Sequence, residues 1–246
     1  MKLISLNIES DLHLDLIKPF ITEQSPDVLC LQETPDFIQE FLHTLGYKTT
    51  FAPMVLRERG QGDFFEGIIL ASKHTYVAKT TYYHGSAEEV CVQAPQDVHT
   101  CSNPLVKAVV TIDNTNYDVA TTHVMVTPDG LTRPYQITAI TRLLKILSQQ
   151  EPHVLCGDFN IPRGINDQYE RFLESYQDMI PNLYGSSLDK DRHKAGRTPT
   201  HELNAPIFDT YMVDYIFTQP PYTASDVRLE FGVSDHAAVV ATITRQ

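Results

Sequence analysis

The sequence predicts an α/β (α+β) fold in which two β-sheets pack face to face with helices outside them. Many short runs are rich in Val, Ile, Thr and Tyr, and a few segments with helical spacing lie between them at intervals. Hydrophobic residues make up 42% of the 246 residues, enough for a sizeable core. Prolines and glycines are scattered and form no linker, so the chain is interpreted as one domain over residues 1–246.

The N-terminal part alternates strands and helices. "KLISLNI" is a short β-branched run and predicts a strand that ends near Asn7. The apolar residues that follow recur at helical spacing and predict a helix: Leu12, Leu16, Ile17, Phe20 and Ile21. "PDVLCLQE" predicts a second buried strand, ending at Gln32 and Glu33, and "DFIQEFLHTLG" predicts a helix capped by Gly46.

The rest of the chain is rich in strands. "EGIILAS", "TYVAKTTYY", "PLVKAVVTI" and "YDVATTHV" predict four of them, and the turn-forming "DNTN" joins the last two into a hairpin. The longest helix is predicted over 131–149, with one apolar face formed by Ile137, Ile140, Leu143, Leu144 and Leu147. The strands "HVLCGDFN", "YMVDYIF" and "GVSDHAAVVATI" follow.

The formal net charge of −12 argues against a protein that grips nucleic acid through a broad basic surface. A phosphate-bearing substrate is still possible, because divalent cations can lie between carboxylates and phosphate. No apolar run reaches membrane-spanning length, and the N-terminus lacks the uninterrupted apolar stretch of a signal peptide. We therefore expect a soluble, cytoplasmic protein with no membrane segment.

The four cysteines show no CxxC spacing. Cys30 and Cys156 fall inside apolar strands and are expected to be buried thiols. Cys91 and Cys101 flank a loop and could form a disulfide in an oxidising compartment, whereas a cytoplasmic location predicts reduced thiols.

Polar residues recur near the ends of the apolar runs. They are Asn7, Glu33, His123, Asp158, Asn160, Asp214, Asp235 and His236. Each one alone is more simply explained as a residue that solvates or caps a strand end. Together they are the residue types that one hydrolytic metal site requires: carboxylates for a hard divalent ion, a histidine to move a proton and carboxamides to orient phosphate oxygens.

Six blocks in this order resemble the endonuclease/exonuclease/phosphatase superfamily, which includes deoxyribonucleases, abasic-site endonucleases, neutral sphingomyelinases and deadenylases. The blocks are "LNIES", "LCLQE", "TTHV", "LCGDFN", "VDYIF" and "SDH". The resemblance implies a deoxyribonuclease-like four-layer sandwich of two mainly antiparallel sheets flanked by helices. It places Asp158 and Asn160 at the mouth between the sheets, with Gly157 letting the backbone turn there and Phe159 packing on the opposite side.

The resemblance also implies a set of metal ligands and phosphate contacts. Glu33 would be the principal ligand of a Mg²⁺ or Mn²⁺ ion, with Glu9 and Asp235 as direct or water-mediated ligands. Asn7 and Asn160 would hold phosphate oxygens.

The implied proton-transfer group centres on His236, paired with Asp214. Either His236 activates water, or it contacts the phosphate while Asp158 takes the proton. His123 would stand over the phosphate or near the leaving group, and its alternative is a satisfied core histidine.

Three further features have open interpretations. Arg133 and Gln136 stand where many members of the family that the sequence resembles have an arginine and a glutamine, and either a phosphate contact or a structural ion pair is possible. "DKDRHKAGR", residues 189–197, is the one dense cationic stretch and is expected to be a solvated loop or a substrate-binding loop. His193 and His201 lack ligand spacing, and no zinc site is predicted.

The expected function is divalent-metal-dependent hydrolysis of phosphodiester bonds by water attack, as in a phosphodiesterase or nuclease. The alternatives are a phosphatase or phospholipase-type enzyme on a small molecule or lipid head group, and a non-catalytic binding module. The partner is a phosphoester substrate, possibly nucleic acid, and no protein partner is predicted.

Overall fold

A computed structural model of the chain describes residues 1–58, 62–90, 92, 101–127, 129–193 and 207–246. Its strands are β1 (Lys2–Asn7), β2 (Val28–Pro35), β3 (Lys48–Arg57), β4 (Phe64–Ser72), β5 (Thr75–His84), β6 (Asn103–Ile112), β7 (Thr115–His123), β8 (Val154–Asp158), β9 (Gln177–Asp178), β10 (Asp214–Thr218), β11 (Tyr222–Glu230) and β12 (Ala238–Arg245). Its helices are α1 (Leu14–Gln24), α2 (Ile38–Thr44), α3 (Pro134–Leu147) and α4 (Gln168–Leu173).

The strands form two six-stranded sheets. Sheet 1 has the order β11-β12-β1-β2-β4-β3, and sheet 2 has the order β5-β6-β7-β8-β10-β9. Each sheet has one parallel pair, β1 with β2 and β7 with β8, and its other pairs are antiparallel. The predicted fold class, two mainly antiparallel sheets with helices outside, is confirmed.

The two parallel pairs determine where polar residues meet. A parallel connection needs a crossover, which α1 supplies between β1 and β2 and α3 supplies between β7 and β8. The C-terminal ends of the strands in a parallel pair lie at the same end of the sheet, so Asn7 aligns with Gln32 and His123 aligns with Asp158. Antiparallel pairing then sets Asp214 beside Asp158. His123, Asp158 and Asp214, all predicted for the site, thus lie side by side on neighbouring strands at one end of sheet 2.

The side chains packed between each sheet and its outer helices differ between the two sheets. Outside sheet 1, Ile17 and Ile21 of α1 and Ile38 and Leu42 of α2 join an aliphatic cluster. Between sheet 2 and α4 lies a group of buried rings that we call the aromatic layer, with centroid separations of 5.0 to 6.4 Å. Its members are Phe159, Tyr169, Phe172, Tyr176, Tyr215 and Phe217. The expectation that Phe159 packs is confirmed.

Local turn predictions are confirmed at two places. Asp113 and Asn114, with φ of 48° and 63°, form the two-residue turn between β6 and β7. Such turns need positive φ at both positions, which Asp and Asn tolerate. Gly46, with φ of 84°, follows α2 as the predicted cap.

Two sequence-based boundaries and one assignment to a helix face were wrong. Leu12 is 54% exposed, because α1 begins only at Leu14. β2 continues to Pro35 through a register shift, with Glu33 at φ 49°, so Glu33 sits in a bulge and not at a strand end. Ile137 is 39% exposed although it was assigned to the buried face of α3. That face is centred on Ala139, Ile140 and Leu143, which rotates Ile137 toward solvent.

The cysteine predictions are confirmed in part. Cys30 and Cys156 are buried free thiols. Cys91 lies outside the described residues, so the expectation of reduced thiols there, against a Cys91–Cys101 disulfide, stays a prediction. Among the described residues, no helix has both the length and the apolar character needed to cross a membrane.

Candidate active site

One carboxamide joins the two sheets at the mouth of the sandwich. Asn7, the last residue of β1, donates one Nδ2 hydrogen to Glu33 Oε1 and the other to Asp158 Oδ2, both at 3.0 Å. Glu33 comes from sheet 1 and Asp158 from sheet 2. The Asn7 side chain therefore ties a carboxylate of each sheet to the same point.

Asp158 is held from several directions. It is buried, and its Oδ1 accepts the backbone N–H of Asn160 at 2.9 Å. The preceding Gly157 has φ of 141°, and a Cβ there would lie 2.0 Å from the carbonyl oxygen of Thr122 on β7. Gly157 is thus required by the close approach of β7 and β8, whereas the sequence had suggested a turn at the strand end.

His123 lies against this carboxylate group. Its Nε2 is 3.5 Å from Asp158 Oδ2 and 3.9 Å from Glu33 Oε1. Asn160 Nδ2 donates to the carbonyl of Val124 at 2.9 Å and lies 3.1 Å from His123 Nε2. Nδ1 of His123 is buried without a hydrogen bond. The ring therefore directs Nε2 at the other site residues predicted from sequence.

His236 and Asp214 form a buried couple. His236 Nδ1 lies 2.7 Å from Asp214 Oδ2, which leaves Nε2 as the nitrogen that can meet a substrate. Burial opposes protonation of His236, but Asp214, Asp235 and then Asp158 outweigh it and raise the pKa of the imidazole well above its usual value. The carboxylates around it therefore favour the protonated imidazole, which is paired with the Asp214 carboxylate.

Glu9, Glu33 and Asp235 form a second acidic group. Burial, with further repulsion from Glu33 and Glu9, raises the pKa of Asp235 to about 7, although His236 opposes the shift. Glu9 Oε2 also lies 2.7 Å from Nε2 of His13 at the start of α1. Repulsion between nearby carboxylates is relieved when a cation binds among them, and a set of carboxylate oxygens suits Mg²⁺.

A second set of donors also lies close together. Asp158, Asp214 and His236 each offer a ligand atom within 4.8 Å of the others. His236 and Asp214 already bond to each other, however, and both oxygens of Asp158 accept N–H groups. A mixed nitrogen and oxygen set also favours transition metals over Mg²⁺. The carboxylates of Glu9, Glu33 and Asp235 are the better fit for a hard divalent ion.

The family assignment follows from comparison with known proteins. The sequence model of the Endonuclease/Exonuclease/phosphatase family matches residues 4–236, from β1 to His236. The chain belongs to this family. The resemblance in the six sequence blocks is thereby confirmed. A search of curated protein sequences found no match.

Solved structures of the endonuclease/exonuclease/phosphatase family share the fold. A family protein from Leptotrichia buccalis C-1013-b has a TM-score of 0.70 and 19% identity, with 99% of each chain covered. The human Nocturnin catalytic domain with bound sulfate anion has a TM-score of 0.70 and 19% identity, over 100% of this chain and 94% of that one. D. rerio TDP2 complexed with single strand DNA product has a TM-score of 0.65 and 16% identity, over 99% and 98%. At such identities the likeness concerns the fold.

Two clefts meet at His236. The first cleft, of about 230 Å³, contains Glu33, Asp158 and Asp235 and continues to Arg57 and Glu66. The second, of about 330 Å³, lies on the side of Leu188 and Tyr211. Three polar side chains line both of them: Asn160, His193 and His236. A substrate bound at His236 can therefore extend in two directions.

The structure decides two of the open interpretations. Arg133 pairs with Asp129 at 2.5 Å and not with the site, which favours the ion-pair interpretation. Gln136 is buried and donates to the carbonyls of Met125 and Asn160, so it supports the loops that carry the site.

The cationic segment 189–197 is described only up to residue 193. Its first residue is anchored and not solvated, because Asp189 is buried, donates its N–H to the carbonyl of Asp235 and accepts from the N–H of Gly232. Residues 194–197 and His201 lie outside the described residues.

Sequence reasoning missed five residues near the site. They are His13, Arg57, Glu66, Asn103 and His193, the last of which was considered only as a possible zinc ligand and as part of the 189–197 segment, a solvated or substrate-binding loop. Arg57 and Glu66 pair across the β3–β4 hairpin, and a register shift between Pro53 and Val55 sets their alignment. No short sequence motif predicts which residues of the two strands lie opposite each other. For His13, the spacing of four residues after Glu9 was a usable signal.

Proposed function

We propose that this protein is a divalent-metal-dependent phosphodiesterase of nuclease type, which hydrolyses phosphodiester bonds by water attack. Membership of the endonuclease/exonuclease/phosphatase family supports phosphoester hydrolysis. The observation that carries the proposal is the single Asn7 amide that holds Glu33 and Asp158 together, in the cleft that His236 also lines. The proposed metal ligand Glu33, the proposed base Asp158 and the proposed charge-stabilising group His236 thus line one cleft.

Glu33, Glu9 and Asp235 would hold the metal ion, Mg²⁺ or Mn²⁺. When bound, such an ion polarises a phosphoryl oxygen and neutralises part of the charge that develops there. Burial is the main cause of the raised pKa of Asp235, and repulsion from Glu33 and Glu9 adds to it; a cation bound among the three carboxylates would relieve that repulsion.

His236 would act as an imidazolium that binds a non-bridging phosphoryl oxygen through Nε2. Asp214 accepts from Nδ1 and so fixes the ring and keeps it charged. A fixed positive group that faces developing negative charge lowers the transition state more than the ground state. In this role the imidazolium donates through Nε2, and the proton of the attacking water goes to another group.

Asp158 would then orient the attacking water and take its proton. Its carboxylate is buried, and the N–H groups of Asn7 and Asn160 fix both oxygens. His123, 3.5 Å from Asp158 Oδ2, would lie near the leaving-group oxygen. Both Nδ2 hydrogens of Asn7 are committed to carboxylates, so we assign Asn7 to positioning and not to direct phosphate binding.

The two clefts support a diester over a monoester. A phosphodiester carries a group on each side of phosphorus, and a cleft extends on each side of His236. The TDP2 structure with a single-strand DNA product supports a nucleic-acid strand or end as the substrate class.

The first test is a substrate panel with EDTA and with Mg²⁺ or Mn²⁺ restored. The panel contains single- and double-stranded DNA, RNA, a simple phosphodiester, inositol phosphates and sphingomyelin. We expect metal-dependent cleavage of diesters and its loss in Glu33→Gln. Glu230→Gln is the matched control, because Glu230 pairs with Arg228 on β11 outside both clefts.

Other results would contradict the proposal in different ways. Turnover confined to inositol phosphates or to sphingomyelin would favour the phosphatase or phospholipase alternative. Full activity in EDTA would remove the metal from the reaction. No turnover of any substrate by the folded, metal-loaded chain would favour the binding module. A steep fall in activity with salt would identify a nucleic acid, because counterions are released when it binds.

A further inference from the structure

A second charged region of the protein lies along β5, beside α3. Two concave stretches, of about 230 and 340 Å³, are lined by residues of β5 and α3 and share Ile146. One stretch includes Val77 to Thr81 without Thr80, and the other includes Tyr82 to Gly85. We call the two stretches together the lateral groove. From Val77 to the end of β5 an extended strand covers about 23 Å, so the lateral groove is elongated.

The lateral groove is cationic although the chain is acidic. Lys79, Arg142 and Lys145 line it, and all three are exposed. Among the described residues, no Asp or Glu lines either stretch and none forms an ion pair with these three cations, whereas the chain has a net charge of −12. A fourth cation, Lys107, pairs with Asp118 at 3.1 Å. The surface thus concentrates positive charge where a counter-charge can reach it.

Two of these cations face each other across neighbouring strands. Lys79 on β5 lies directly opposite Lys107 on β6. Side chains at opposed positions point to the same face of the sheet, and like charges there are destabilising. Asp118 offsets the charge of Lys107. An anion bound in the lateral groove would supply the corresponding counter-charge for Lys79.

One end of the lateral groove adjoins the candidate active site. Tyr83 lines the groove and donates its hydroxyl to the carbonyl of His123 at 3.0 Å. The next residue, His84, pairs with Asn103 of β6, which lines the first cleft. The lateral groove and the first cleft therefore reach the same end of sheet 2.

The acidic mouth gives a nucleic-acid strand a reason to use such a groove. Glu33, Asp158 and Asp235 line the first cleft, and a metal ion would compensate them only at the phosphate that it binds. Phosphates further along the strand need cations of the protein. Sites for single strands combine a cationic groove that follows the backbone with aromatic rings, and half-buried Tyr82 adds a ring to this lining. A bilayer surface, by contrast, is flat and would contact protruding groups.

We propose that the lateral groove binds the backbone of a single-stranded nucleic acid outside the active site. This inference rests on the proposed function, because the bound strand is the substrate whose scissile phosphate lies at His236. Lys79, Arg142 and Lys145 bind phosphates of the strand beyond the scissile one. A longer strand therefore binds more tightly than a single phosphodiester.

Binding of a labelled oligothymidylate of about twelve nucleotides to the full chain tests the groove. Fluorescence anisotropy is measured in EDTA, which blocks metal-dependent hydrolysis. The logarithm of the wild-type affinity should fall with the logarithm of the salt concentration with a slope of about −2, because each of three phosphate contacts releases about 0.7 of a counterion. The triple variant Lys79→Gln, Arg142→Gln, Lys145→Gln should lose this slope and bind about tenfold or more weakly at about 50 mM salt.

A second triple variant controls for the change in net charge. Lys18→Gln, Lys48→Gln and Arg228→Gln also remove two lysines and one arginine, but from α1, β3 and β11, outside the lateral groove. The control variant should keep the wild-type slope and an affinity within about twofold of the wild type.

The outcomes separate this inference from the proposed function. No binding by the wild type, an unchanged slope in the groove variant, or an equal loss in both triple variants would overturn the groove. Phosphatidylserine vesicles that bind through the same three cations, without binding of the oligonucleotide, would also overturn it and identify a membrane site.

Hydrolysis of the oligonucleotide in Mg²⁺ is measured in parallel. Turnover without groove-dependent binding would leave the phosphodiesterase standing and refute the groove. Groove-dependent binding without turnover of any diester would support a strand site and refute the hydrolase.

Discussion

Residues 158 to 160 separate two contrasting regions of the protein. Asp158 and Asn160 face the mouth between the sheets, where five carboxylates and two histidines crowd together. Phe159, between them, packs against Phe172 and Phe217 in the aromatic layer. One short segment therefore supplies chemistry on one face and packing on the other.

The two regions also differ in backbone conformation. At the mouth, Glu9, Glu33 and Asn160 adopt positive φ values of 48°, 49° and 51°. No residue of the aromatic layer does. Left-handed backbone and buried like charges both cost stability, and they concentrate at functional sites. The difference teaches that stability and activity should respond separately to mutation on the two faces.

Asp158→Asn should have the largest effect, and on activity alone. Loss of the proposed base predicts a fall in kcat/KM of about 10⁴-fold, which is about 5.4 kcal/mol of activation free energy. The melting temperature should change far less than the activity, because removal of one of several crowded charges offsets the contact between the new amide N–H₂ and the N–H of Asn7 or Asn160. Steady-state kinetics and thermal melts check both parts. A loss below tenfold would contradict the assignment of Asp158.

Phe217→Ala should do the reverse. Phe217 is fully buried among five rings, so truncation predicts a loss of about 4 kcal/mol in the free energy of unfolding. Activity per folded molecule should stay within a few-fold at low temperature. Urea unfolding provides the measurement, and Phe231→Ala, at a 47% exposed phenylalanine, is the matched control. An equal loss in both variants would remove the special role of the aromatic layer.

Mg²⁺ should stabilise the mouth and leave the aromatic layer unaffected. At tenfold excess over the dissociation constant, binding adds about 1.4 kcal/mol to the free energy of unfolding. The gain should vanish in Glu33→Gln and persist in Phe217→Ala. Melts with Mg²⁺ and with EDTA measure it. A gain that survives in Glu33→Gln would place the ion elsewhere.

The smallest effect concerns pH at the border of the aromatic layer. His153 is buried, and its Nε2 lies 2.8 Å from the hydroxyl of Tyr176. Burial lowers the pKa of His153 below its usual 6.5. The unfolded chain therefore takes up a proton first, so stability is complete above pH 6.5 and falls as pH drops toward the folded pKa.

Comparison with His153→Gln isolates this contribution. Between pH 7.5 and 5.5, the wild type should lose up to about 1 kcal/mol more than the variant. Asp235 at the mouth has a raised pKa and contributes with the opposite sign in EDTA, which is why the difference between the two proteins is the quantity to measure. Identical pH dependence in both would exclude His153 as its source.

For a physical reason, the sequence predicted the polar residues at the mouth better than the other residues that line the first cleft. Asn7, His123 and Asp158 end strands, and the parallel pairs bring such ends together by geometry that any βαβ crossover shares. Arg57 and Glu66 meet only because a register shift in a hairpin aligns them.

Hydrogen bonding is the second thing that the sequence could not supply. The pattern suggested that Asn7 holds phosphate, yet its two N–H groups face carboxylates from both sheets. The wrong burial of Ile137 has a similar origin, since the position of α3 on sheet 2 selects which of its apolar residues point inward.

The pairing of β12 with β1 has a consequence for biosynthesis. Asn7 ends β1 and is made long before His236, which precedes β12, and β12 becomes the neighbour of β1 only in the complete sheet. A nascent chain on the ribosome that still lacks residues 214–245 has no Asp214, no His236 and no β12. The proposed hydrolytic activity would then switch on in one step after translation of these strands, and truncated products would be catalytically silent.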